Sequence, residues 1–174
     1  TFDGLSSDAN CFYIRGSWKN DRADILENIG KGSSQIFYDN TANIDLQEND
    51  WVKFSEPDFD DEFEDDSEYI GQISQLVQAQ NGSVTIKDQA AKNYSSANNM
   101  WIREIKPGKN IGFENFMIER TNSGKGSGAN FKFEKAVNCW IKGIESYNCT
   151  GYHFNVLHSS HIEISGCYIH KATN

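Results

Sequence analysis

The sequence predicts an all-β fold whose later part winds as a β-solenoid. Three observations carry this. The composition is turn-rich and helix-poor: 174 residues with 14 Gly, 18 Asn and 2 Pro, in which Ile and Phe outnumber Leu. Short apolar runs alternate with Gly- and Asn-marked turns. From residue 110 onward, segments 20-odd residues apart superpose without gaps.

Phe12 to Gly16 reads as a short strand, and Asp21 to Ile29 as a short helical turn. Gln35 to Tyr38 has β character, and Trp51 to Phe54 forms a strand after the turn Glu48-Asn49-Asp50. An acidic loop follows. Residues 56–68 hold nine acids and no base. Tyr69 to Ile73 and Leu76-Val77 resume the apolar pattern. Asn81-Gly82 is a turn signal, and Val84 to Ile86 alternates after it. Met100 to Ile105 is a further strand, stopped at Lys106-Pro107-Gly108.

The repeat comprises residues 110–119, 138–147 and 161–170. Each carries two apolar positions two apart: Ile111/Phe113, Cys139/Ile141 and Ile162/Ile164. A break at Asn115, Gly143 or Gly166 follows, then a second pair at Phe116/Ile118, Ile144/Ser146 or Cys167/Ile169. Asn and Gly accept a left-handed backbone at least cost, so each segment reads as strand, bend, strand. Between the segments, Phe131 and Phe133 recur 23 residues later as Phe154 and Val156. The first interval is longer by the excursion Asn122 to Gly128. A coil of this length cannot bury its own apolar face and needs neighbours above and below. The third repeat ends near Asn174 without a polar cap, so further solenoid coils or a partner chain are expected beyond it.

The domain expectation is a single β-helix domain or fragment over 1–174. Residues 1–99 are its irregular N-terminal coils and 100–174 its regular ones. Charge narrows the partners. The net charge of −9 comes from 25 acids and 16 bases, and outside residues 56–68 the two balance. A neutral body does not attract phosphate backbones, which argues against nucleic acid. No window is apolar enough for a membrane span. Cys11, Cys139, Cys149 and Cys167 lack metal-ligand spacing, and buried free thiols are the plainer reading.

Over residues 100–174, the runs Pro107 to Ile118, Val137 to Ser146 and His161 to His170 resemble the right-handed parallel β-helix proteins of the pectin-lyase-like superfamily. That resemblance implies the fold. Its members include polysaccharide lyases, glycoside hydrolases, phage tailspikes and adhesins, so it leaves activity open. It also implies an extracellular or cell-surface location.

In the repeat register, Glu119, Tyr147 and His170 share an outward column. Met117, Glu145 and Tyr168 share the column before it, and Arg120, Asn148 and Lys171 follow. Acids, a base, aromatic rings and cations on one face are what a polysaccharide site uses. Glu119, Tyr147 and His170 are the catalytic candidates. Arg120, Glu145, Tyr168 and Lys171 are the substrate-binding candidates. A solvated sheet face is the plainer alternative. No paired-Asp hydrolase motif and no Arg-Lys lyase arrangement of the superfamily is visible. No metal site is expected, although the acidic run could take Ca²⁺ through its carboxylates. The expected function is carbohydrate recognition, with lyase or hydrolase activity open. The alternative is a non-catalytic adhesion or assembly module of the same fold.

Overall fold

The computed structural model describes residues 6–42, 44–57, 70–121 and 126–172. The acidic run beyond Pro57 and the start of the Asn122 to Gly128 excursion lie outside them. The chain divides into two compact units, Ser17–Lys106 and the combination of Thr1–Gly16 with Pro107–Asn174. The division falls elsewhere than the expected boundary near residue 99. The first strand, β1 (Phe12–Arg15), belongs with the late residues: it pairs in parallel with residues 131–134.

Unit Ser17–Lys106 is an antiparallel sheet, not a set of early coils. Its strands are β2 (Ser17–Trp18), β3 (Ala23–Asp24), β4 (Gln35–Phe37), β5 (Trp51–Ser55), β6 (Gly71–Gln80), β7 (Ser83–Ile86) and β8 (Trp101–Lys106). The order is β2-β8-β5-β6-β7-β4, with β3 also on β8. The expected turn at Asn81-Gly82 explains much of this. Gly82 takes a φ of +81°, and so tight a connection can join antiparallel strands only. The helical turn expected over 21–29 is absent. Ala23 and Ile25 are buried on one side while Asp24 and Leu26 face out, a period of two that makes β3 and an Ile25–Tyr38 bridge. Val52, Phe54, Leu76, Ile86, Met100 and Ile102 form the unit's core.

The other unit holds β9 (Gly108–Lys109), β10 (Gly112–Glu114), β11 (Met117–Glu119), β12 (Ala129–Glu134), β13 (Ala136–Lys142), β14 (Glu145–Cys149), β15 (Tyr152–Leu157), β16 (Ser160–Ser165) and β17 (Tyr168–Ala172). They form three parallel sheets, β1-β12-β15, β10-β13-β16 and β11-β14-β17, with β9 also on β13. The chain visits each sheet in turn and returns to the first 23 residues later, so Phe131 pairs with Phe154, Cys139 with Ile162 and Ser146 with Ile169.

The corners explain why this sequence bends where it does. Asn110, Asn138 and His161 have φ of 59°, 53° and 54°, and Asn115, Gly143 and Gly166 have 57°, 61° and 61°. Equivalent positions in successive passes share the left-handed backbone, which Asn and Gly tolerate most cheaply. Inside lies an aromatic stack. The rings of Phe12 and Phe131 are parallel within 18° at 5.1 Å, and Phe154 follows at 5.6 Å from Phe131. Cys139, Ile141, Ile144 and Ile118 fill the remaining space. Ile111, expected inside, is 38% exposed, although its carbonyl accepts from Trp140 N–H of the neighbouring strand at 3.0 Å. All four cysteines are free thiols, with Cys139 and Cys149 buried.

Candidate functional site

Sheet β11-β14-β17 carries the predicted outward columns. Glu119 stands beside Tyr147, and Tyr147 beside His170. Met117, Glu145 and Tyr168 form the neighbouring row. In a parallel sheet, outward side chains at equivalent positions stand about 4.8 Å apart, so short contacts between them are expected.

Those contacts are made. The His170 ring lies 4.6 Å from Tyr147, edge-on at 63°, and 4.6 Å from Tyr168, tilted at 36°. Its Nε2 is 3.1 Å from Glu145 Oε1. Lys171 Nζ donates to the Tyr147 hydroxyl and also lies 4.7 Å from the centre of that ring. The hydrogen bond and charge of Tyr147 raise the Lys171 pKa, and Glu119 raises it further. Lys171 occupies a left-handed corner with φ 61°. Tyr168 is 65% exposed and Met117 51%, so the row presents apolar surface beside the charged groups.

Arg120 is not part of this face. It is 1% exposed, and its Nη2 donates to the carbonyls of Ser6 and Ala9, each at 2.8 Å. The equivalent positions Asn148 and Lys171 have positive φ, and Arg120 is not among the residues with that conformation. Its guanidinium therefore holds the 6–9 segment rather than a ligand.

Behind the face, Asn130 Nδ2 bonds Ser146 Oγ at 2.9 Å, and Ser146 Oγ meets His153 Nδ1 at 2.8 Å. Burial lowers the His153 pKa, and the charge of His170 lowers it further. His153 therefore serves as a neutral inner partner of Ser146. On the first sheet, burial alone would raise Glu134. The Tyr13 hydroxyl, Lys135 and Lys132 outweigh it and hold the carboxyl down to about 2.

A second group went unread in the sequence. On sheet β10-β13-β16, Trp140 and Lys142 face outward between Glu114 and Glu163. The gap-free superposition places Gly112, Trp140 and Glu163 in one column and Glu114, Lys142 and Ser165 in another, which is the signal that could have found it.

The chain is all-β, and its fold is similar to that of solved phage tailspike proteins. The Gp54 tailspike of Acinetobacter baumannii bacteriophage AP22, solved in complex with A. baumannii capsular saccharide, matches at TM-score 0.52 and 14% identity, over 94% of this chain and 36% of that one. Tailspike gp49 of Pseudomonas phage LKA1 matches at TM-score 0.46 and 12% identity, over 94% and 30%. Tailspike gp61 of Pseudomonas phage phi297 matches at 0.46 and 11%, over 94% and 33%. The chain thus spans about a third of the length of these proteins. At these identities the likeness shows the fold alone. No protein-family model and no curated protein matches the chain. Among the described residues no helix is long and apolar enough to cross a membrane.

Proposed function

We propose that this chain is a carbohydrate-recognising segment of a tailspike-like, right-handed parallel β-helix protein of the pectin-lyase-like type, exposed at a virion or cell surface. Its ligand is a polysaccharide, bound across sheet β11-β14-β17. The observation that carries this is the continuous outward array of Tyr147, His170, Tyr168, Glu145 and Lys171. Aromatic rings offer apolar faces to the C–H side of a pyranose. Glu145 and Glu119 accept hydroxyl hydrogens, and Lys171 suits a carboxylated sugar. The AP22 tailspike was solved with a capsular saccharide, which makes a capsule-type glycan the first ligand to try.

Catalysis is a finer reading of the same face. Glu145 orients His170, as a base needs, and Tyr147 with Lys171 supplies a hydroxyl next to a cation. Incubation with acidic and neutral polysaccharides separates the readings. Retention that falls in His170→Ala and Tyr147→Ala supports recognition. Unsaturated uronate or new reducing ends, lost in the same variants, adds lyase or hydrolase activity. Retention unchanged in both variants would move the site elsewhere and leave these strands a scaffold.

A further inference from the structure

We propose that the groove on sheet β10-β13-β16 is a second saccharide subsite, built around Trp140 and selective for a neutral pyranose. This rests on the carbohydrate reading above but concerns a different sheet. The groove has a volume of about 500 Å³ and is lined by Trp140, Glu114, Lys142, Glu163 and the corner residues Asn110 and Asn138.

Gly112 makes the platform possible. A Cβ at Gly112 would fall 2.0 Å from Trp140 Cε2 and 2.2 Å from Nε1, so the indole lies flat against the glycine backbone of the adjacent strand. Trp140 Nε1 donates to Glu114 Oε1 at 2.6 Å, which fixes the rotation of the ring. The indole is thus covered on one side by Gly112 and is part of the groove's lining. A large, rigid apolar face with polar groups at its rim is the arrangement that holds a sugar ring.

The rim defines which sugar. Lys142 Nζ lies 2.9 Å from Glu163, and Ser165 Oγ donates to the same carboxylate at 3.0 Å. Both partners are accessible, with side-chain exposures of 44% for Lys142 and 57% for Glu163. Two carboxylates, Glu114 and Glu163, face one ammonium, Lys142, and the imidazole of His161 among the groove's acidic and basic residues. The rim therefore accepts hydroxyl hydrogens well and repels an added carboxylate. A neutral pyranose fits, and a uronate is disfavoured. The β11-β14-β17 face differs in bringing Lys171 and His170 against its acids.

The test titrates hexasaccharides of cellulose, amylose, chitin and galactan, with hexagalacturonate as the acidic probe, into the full chain. At least one neutral probe binds. Trp140→Ala weakens that binding by roughly tenfold or more, and Trp140→Phe by less. Gly112→Ala, which displaces the indole, matches Trp140→Ala. Leu26→Ala, at an exposed side chain of the Ser17–Lys106 unit, leaves the same binding within about twofold. Binding that falls in Tyr147→Ala but not in Trp140→Ala overturns the groove and leaves the functional reading intact. Preference of the groove for hexagalacturonate overturns the charge argument. Failure of every neutral probe to bind overturns the groove, and the functional reading is then decided separately by retention of a capsule-type glycan in wild type against His170→Ala.

Discussion

The backbone corners show how single residues set this architecture. Gly166 has φ 61°, and the nearest atom to a Cβ built there is 3.7 Å away, so conformation rather than crowding decides what the position tolerates. Gly166→Ala is expected to cost about 1–2 kcal/mol, and Gly166→Asn less, because Asn already holds the equivalent corner at residue 115. Melting temperatures of the two variants check this. Arg120 lies at the opposite extreme: its register position was legible, its direction was not. Arg120→Ala should lose about 2 kcal/mol or more of stability while leaving glycan retention by sheet β11-β14-β17 unchanged. Reduced retention at unchanged stability would contradict its anchoring role. For His153, the folded pKa lies below 6.5, so the unfolded chain takes up the proton more readily. The stability that this residue contributes is complete above pH 6.5 and falls away below it. Thermal melts across that range should show the decline in the wild type and less of it in His153→Gln.

Individual strands were readable where apolar residues alternate against a marked turn, as in β5, β7 and β8. Pairing was less readable. The repeat placed β13 beside β16 correctly, because three superposed copies make register a matter of counting. Nothing comparable marked β1 as the neighbour of β12, since Phe12 and Ile14 resemble any short apolar pair until Phe131 and Phe133 are known to face them. Part of the candidate face was legible for the same counting reason: Tyr147, His170 and Lys171 fall in register. The Trp140 groove depends on a glycine lying under an indole, a contact that composition does not announce. The β1–β12 pairing also carries an acid-sensitive link. Tyr13 bonds Glu134, whose carboxyl is held down to about 2 against an ordinary value of 4.5. A depressed carboxylate stabilises fully above 4.5, and that contribution drains as pH falls toward 2. Glu134→Gln should flatten this part of the acid melting curve.

At the largest scale, the described residues form two cores, one around Phe54 and Ile102 and the other around Phe131 and Ile141. The sequence concealed this because unit Ser17–Lys106 is interposed between β1 and β9, and linear reading assigns everything before the repeat to one continuous winding. Each unit with its own core is expected to melt as its own cooperative step. Calorimetry should resolve two transitions. Phe54→Ala should lower one and Phe131→Ala the other, each by about 3–5 kcal/mol. A single transition shifted by both variants would show that the cores unfold together.

The interposed unit also imposes a schedule on synthesis. Phe12 emerges from the ribosome 119 residues ahead of Phe131, its partner in the sheet. At translation rates of about 5–20 residues per second, that strand waits roughly 6–24 s for its partner β12. Residues 17–106 can reach their own antiparallel pairing within that interval, since all their strand partners have already been made. Residues 17–106 thus complete their pairing before β1 meets β12, and β1 is the natural target for a holding chaperone.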